Sequence, residues 1–316
     1  MRAAGALLWL ACASALPASA QQPDAPLART FQAGDVQRYR VELTVRSEVD
    51  GQRPKQVGRQ TFAEPFSDAA EASLSWEVTR LVAAVDADGS AQIEEALHDF
   101  STLLAVNPRV GEATPAQPLM DALMAWTREL NSPLRYRESK TGQLQGLSDN
   151  AGPVFDEAPP VLTLWLRRAL RPTAALPARS AREGERWQEP RAVRLPPWSN
   201  VQGSETGEWL AGPLPERSLV NLIQLHTVQQ ISGSVPAAAQ EDSASVPAGE
   251  GRFHAESLAA LVHLGAPLYG GYGGLYSATR SASREVARVV EGVPALNQAP
   301  FFRARLSVQV RIAVIE

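Results

Sequence analysis

FFRARLSVQVRIAV, residues 301–314, alternates in character at every step. Phe302, Ala304, Leu306, Val308, Val310, Ile312 and Val314 fall on one side; Arg303, Arg305, Ser307, Gln309 and Arg311 fall on the other. Side chains alternate across a β-strand with a period of two, so this run specifies a strand with one dry face and one wet face. A strand this long must pair inside a sheet, which makes the end of the chain structural.

The same pattern recurs upstream. Gly34-Asp35 introduces Tyr39, Val41, Leu43 and Val45, which alternate with Arg38, Arg40, Glu42, Thr44 and Arg46. One apolar and one charged face mean a sheet covered on one side. Asp50-Gly51 is a hairpin-turn signal. Leu74–Thr79 alternates again and runs on to Val85, and Asp88-Gly89 turns the chain into Ala91–Glu94. These features read as an antiparallel meander. Further strands are expected at Leu134–Arg137, with a turn at Thr141-Gly142 and a return over Leu144–Leu147. Others are expected after Gly184-Glu185-Arg186-Trp187, over Leu219–Ile231, from Arg252 to Leu258, and from Ser277 to Val290. Residues 233–251, GSVPAAAQEDSASVPAGEG, read as an exposed loop.

The middle of the chain changes period. Thr114-Pro115-Ala116-Gln117 has the form of a capping box, and Leu119, Leu123, Trp126 and Leu130 follow at helical spacing. A helix is predicted over 115–130. A second is predicted over 159–171, where Leu162, Trp165, Leu166 and Leu170 share a face and Pro172 ends the run. The expected fold is mainly β, of the α+β class. It is a large curved antiparallel sheet or half-barrel over residues 34–316 as one domain, with two mid-chain helices burying Trp126 and Trp165 on its concave apolar face.

The opening strand Gly34-Asp35-x-x-Arg38-Tyr39-Arg40-Val41, and Leu176-Pro177 followed by Gly184-Glu185-x-Trp187, are similar to segments of uncharacterised secreted bacterial proteins. The layout of a long antiparallel sheet with two mid-chain helices resembles the half-barrel of periplasmic lipoprotein carriers. That resemblance implies an open barrel, lidded by helices, around an apolar cavity for acyl chains. It covers layout only and carries over no functional residue. Arg40 falls on the wrong face of its strand to be a cavity arginine.

Residues 1–20 read as a secretory signal peptide: Arg2, an apolar run from Ala3 to Leu16, and the small-x-small site Ala18-Ser19-Ala20. Residues 21–33 follow as a flexible leader. A competing reading is lipid anchoring at Cys12, weakened by Trp9 three positions before it. The expected location is the periplasm or the extracellular space. Cys12 is the single cysteine, so the exported chain needs no oxidative folding and offers no thiolate to a metal. Loss of Arg2 takes the formal charge from −4 to −5, which argues against nucleic acid as a partner. No later run is long and apolar enough for a transmembrane helix.

Motifs for chemistry are nearly missing. No two of His98, His226, His254 and His263 stand at the spacing of a local metal pair. Gly146-Leu147-Ser148-Asp149-Asn150 and Gly203-Ser204-Glu205-Thr206-Gly207 both fail as nucleophile elbows. Glu94-Glu95 with Asp99, and Asp156-Glu157, are the tightest carboxylate groups; the latter precede a helix, where capping explains them. Trp198 and Trp209 are candidates for exposed stacking residues, with loop packing the competing role. In GAPLYGGYGGLYSATR, residues 265–280, there is no dinucleotide or phosphate fingerprint. It reads as a glycine-permitted connection between strands in which Tyr269 and Tyr272 border an apolar pocket. No cofactor, no metal site and no catalytic residue are assigned. The expected function is non-enzymatic binding of a hydrophobic ligand or lipid in the cell envelope, with Trp126, Trp165, Tyr269 and Tyr272 as ligand contacts. Alternatives are a structural or protein-interaction component of the envelope, and a hydrolase whose active site is assembled from distant segments.

Overall fold

The computed structural model describes residues 27–107, 133–146, 169–174, 176, 186–191, 202–212, 222–235, 249–263, 271–289 and 301–315. They form twelve strands: β1 (Ala28–Arg29), β2 (Val36–Val57), β3 (Gln60–Val85), β4 (Ala91–Asn107), β5 (Leu134–Glu138), β6 (Leu144–Gln145), β7 (Arg186–Arg191), β8 (Gln202–Gly212), β9 (Leu222–Val235), β10 (Gly249–His263), β11 (Gly271–Val289) and β12 (Phe301–Val314). Eleven lie in one antiparallel sheet in the order β6-β5-β4-β3-β2-β12-β11-β10-β9-β8-β7. The twelfth, β1, pairs parallel to the start of β11 through Ala28↔Gly271 and Arg29↔Tyr272.

Alternation decides which face is buried. Tyr39, Val41, Leu43 and Val45 of β2 are buried, as are Leu74, Trp76 and Val78 of β3 and Val308, Val310 and Ile312 of β12. These join Leu225 of β9, Leu261 of β10 and Trp187 of β7 in one core cluster, so both wings of the sheet curve toward a shared interior. The other face carries ion pairs in water. Arg38 and Arg40 grip Glu77 at 2.7 and 2.9 Å, Arg305 reaches Glu285 at 2.8 Å, and Arg186 reaches Glu208 at 3.0 Å. A charged outer face is the reverse of a lipid-facing barrel wall.

β1 joins two distant parts of the sheet. Arg29 N donates to Lys140 O in the β5–β6 turn at 2.8 Å, and Thr30 N donates to Tyr272 O of β11 at 2.9 Å. β1 therefore straps together two regions that stand five strands apart in sheet order. Leu27, just before it, is buried, so residues 27–29 pack as part of the fold. The edge strands β6 and β7 do not pair with each other, and the sheet stays open.

A bulge breaks the alternation within β4. Asp99 has a φ of 53°, and the β3–β4 register slips between Ser75 and Glu77. Two residues of β4 then oppose Trp76, forming a bulge. The slip turns Phe100 inward, where its ring stacks on Trp76 at 5.4 Å between centroids and 3° between planes.

Several expectations are corrected. The α+β class gives way to an almost entirely antiparallel β fold, with no helical element among the described residues. The helix predicted over 115–130 lies outside the described residues, as does 159–168 of the second. Of that second helix only its end is described: Ala169 is helical, and the chain turns away at Leu170 and Arg171. Asp50-Gly51 is not a turn. It sits inside β2, and the hairpin closes at Gly58-Arg59 with Gly58 at a φ of 66°. Gly51 stands in register between Phe66 and Phe302. The Gly-Tyr stretch is not all connection either: β11 starts at Gly271 rather than near Ser277. Trp209 stands in β8 rather than in a loop.

Candidate functional site

The inner face has two zones. Most of it is apolar. At the strapped end it becomes polar, and there charges are almost fully removed from water. Glu138 closes β5, a strand held by the Ser139–Gln143 turn, whose Gly142 has a φ of 75°. Its Oε1 accepts from Arg29 Nη1 of β1 at 2.5 Å and its Oε2 from Arg80 Nη2 of β3 at 2.6 Å. Glu95 of β4 forms a second node: its Oε1 accepts from Tyr136 Oη at 2.5 Å and its Oε2 from Arg171 Nη1 at 2.5 Å. The side chains of Glu95 and Glu138 are 0% exposed. Arg29 also stacks on Phe31, 4.8 Å from the ring centroid.

Arg280 of β11 completes the cluster without a carboxylate. Its guanidinium donates to the carbonyls of Ala169, Arg171 (2.8 Å) and Thr173. Leu176 N then donates to Thr141 O at 2.8 Å. The buried segment 169–176 is thus tied to the sheet through its backbone, whose carbonyls would otherwise be unpaired away from water. Four arginines (29, 80, 171, 280) face two glutamates (95, 138), and all six residues are buried. Nε of Arg29, Arg80 and Arg171 meets no acceptor among the described residues.

The electrostatics follow from burial. Burial works against the charge on Arg80, but Glu138, Tyr136, Tyr39 and Glu95 together outweigh it and the pKa rises above its usual value. Arg280 has burial alone, and its pKa falls to about 10. Burial pushes the phenols of Tyr39, Tyr136 and Tyr272 up; Glu95 adds to the rise at Tyr136. A closed, dry set of ion pairs can hold the strapped end shut. It gives a substrate no exposed acid or base.

Of the expected ligand contacts, Tyr272 is fully buried at this end, with its hydroxyl 3.5 Å from Ala174 O. Trp126, Trp165 and Tyr269 lie outside the described residues, as do Asp156, Glu157, Ser148 and Trp198. The histidines do not converge. His98 bonds Thr79 Oγ1 at 3.1 Å and His226 bonds Glu256 at 2.7 Å, both on the exposed face; His254 is exposed too. Glu94 and Glu95 point to opposite faces, Glu94 toward Arg135 at 2.9 Å. Among the described residues no group of three or more His, Cys, Asp or Glu side chains could hold a metal. None of them lies in a helix long and apolar enough to cross a membrane.

Arg29, Arg80, Glu138, Arg171 and Arg280 were not singled out from sequence, yet three of them carry a signal. Arg80 shares the parity of Trp76, Val78 and Val82; Glu138 shares that of Tyr136; Arg280 shares that of Ala278 and Ala282. A charge on the apolar parity of a strand must find a buried partner.

No protein-family model matches the chain, and no curated protein matches it. Among solved structures, the chain is similar over 90% of its length to a lipovitellin described for its lipid–protein interactions, at 11% identity and a TM-score of 0.40. It spans 25% of that lipovitellin chain. It also aligns with the Vibrio cholerae competence-pilus secretin PilQ over 90% of this chain and 62% of that one, at 9% identity and a TM-score of 0.15. A third is Pseudomonas aeruginosa OpdQ, with 88% of this chain and 98% of that one covered, 7% identity and a TM-score of 0.15.

Proposed function

We propose that this protein is an exported, non-enzymatic binding protein of the cell envelope that holds a hydrophobic ligand or lipid against the inner face of its sheet. One observation carries the reading. The inner face is apolar across much of β2, β3, β9, β10, β11 and β12, the outer face is charged, and the buried charged groups are gathered at one end, bound to each other or to backbone carbonyls. An apolar sheet face must be covered to be stable. An amphipathic ligand laid along it would meet aliphatic side chains over most of its length and no free charge. Trp126, Trp165, Tyr269 and Tyr272 are proposed as its aromatic contacts.

The test is direct. The purified chain is extracted with organic solvent, the extract is analysed by mass spectrometry, and uptake of a fluorescent fatty acid is titrated. Co-purified lipid with saturable uptake supports the reading. A chain that carries no lipid and takes up no fatty acid sinks it.

A further inference from the structure

Among the described residues the β2–β3 hairpin reaches past its neighbours in the sheet. β12 pairs with β2 only as far as Phe302↔Gly51, and β4 pairs with β3 only as far as Asn107↔Ala69. Beyond these points Gln52–Val57 and Gln60–Pro65 pair only with each other among the described residues. Six residue pairs at about 3.4 Å per residue make a ribbon of about 20 Å. A bare two-stranded ribbon is at best marginally stable in water, so its length asks for a partner.

The register gives the ribbon two unlike faces. Lys55 stands opposite Phe62 and Val57 opposite Gln60, with the parity of the buried Val45 and Leu74. On this parity Val57 is 57% and Phe62 45% exposed, and Arg53, Lys55, Gln60 and Glu64 stand on it beside them. Gln52, Pro54, Gln56, Thr61, Ala63 and Pro65, on the other parity, carry no charge. The tip is also basic. Residues 52–65 hold Arg53, Lys55 and Arg59 against Glu64, a net +2 in a chain of net −4. Lys55 pairs with Glu64 at 2.7 Å, and Lys55 and Arg59 are exposed. Pro54 on one strand and Pro65 on the other each remove a backbone donor, which disfavours addition of a further strand to the ribbon.

From this geometry we infer that the hairpin tip, residues 52–65, is a docking element for an anionic lipid surface, placing Val57 and Phe62 among the acyl chains and Lys55 and Arg59 among the headgroups. Exposed aliphatic and aromatic groups flanked by cations suit the boundary between headgroups and acyl chains. Cations near such a surface each contribute roughly fivefold in affinity. The inference stands apart from the ligand reading, because vesicle binding reads the tip and solvent extraction reads the inner face.

The experiment is flotation of the purified chain with vesicles of mixed phosphatidylglycerol and phosphatidylcholine, against vesicles of phosphatidylcholine alone. The expected result is binding to the anionic vesicles that weakens as salt is raised. V57S/F62S should weaken it by about tenfold or more, from lost apolar burial. K55Q/R59Q should weaken it by about tenfold or more and flatten the salt dependence. Both variants sit on an exposed tip and should unfold at the wild-type temperature. No flotation of the wild-type chain with anionic vesicles overturns the inference. So does equal flotation of all three proteins, or a wild-type chain that stays off vesicles while a crosslinker at position 62 captures a protein.

Discussion

Glu138→Gln tests whether the buried charges hold the strapped end together. The carboxylate accepts from Arg29 at 2.5 Å and Arg80 at 2.6 Å, with the arginine side chains each 1% exposed. Glutamine keeps the shape but loses the charge, and it turns an amide donor toward one of two guanidiniums. Removing one partner of a buried ion pair costs about 3–5 kcal/mol, because an uncompensated charge stays inside. Here two cations lose the same partner, so the cost should lie toward the upper part of that range. At about 2–4 °C per kcal/mol, the midpoint of thermal unfolding should fall by about 6–20 °C. Circular dichroism melts of wild type and variant measure it. A companion variant, R29M/R80M/E138M, removes the charges together, and such replacements are often neutral or stabilising. It should recover most of the loss. The reasoning is refuted if E138Q melts within about 1 °C of wild type, or if the triple variant is no better than E138Q.

Three further outcomes are expected. The phenols of Tyr39, Tyr136 and Tyr272 are held up by burial, so the folded state keeps protons that the unfolded state loses above pH 10. Stability should therefore fall as pH rises through and beyond 10, by up to about 4 kcal/mol per pH unit for three groups. Absorbance at the phenolate band should show these three ionising only as the protein unfolds; ionisation near 10 in the folded chain would rule this out. Gly207→Ala would place a Cβ 2.1 Å from Cζ2 of the buried Trp187 ring, and overpacking should cost about 1–3 kcal/mol by denaturant titration; an unchanged midpoint would mean the ring is free to move. Arg280→Met strips three carbonyls of their donor, so segment 169–176 should become the first site of limited proteolysis, before global unfolding; cleavage elsewhere first would remove Arg280 as its anchor.

Strands were the legible part of this sequence because alternation is imposed by burial of one face. β12 runs over the stretch with the clearest pattern, and β5 and β9 fall close to their expected ranges. Where alternation slips, the reading failed. The Asp99 bulge changes parity inside β4, and nothing local announces that Phe100 will turn onto Trp76. Asp50-Gly51 carries the chemistry of a turn, yet its strand continues because β3 and β12 supply partners on both sides. The charged cluster was half legible. Arg80, Glu138 and Arg280 each stand on an apolar parity, but Arg29 and Arg171 lie outside long strands, and only the curvature of the sheet brings them in.

The strand order has a consequence for how the chain is made. From β2 to β6 each strand pairs with its successor, and from β7 to β12 the same holds. Among the described strands the two series pair through β2 and β12, at Val41↔Ile312 and Leu43↔Val310, and β1 straps them at one end. Each wing is built from near-neighbour contacts, whereas the seam between them joins residues from opposite ends of the chain. Such distant pairing carries a large loop-closure entropy and forms slowly. A chain emerging from the ribosome cannot form the seam until its last strand has been synthesised. The topology itself thus delays completion of the sheet until the fourteen residues of β12 have been added.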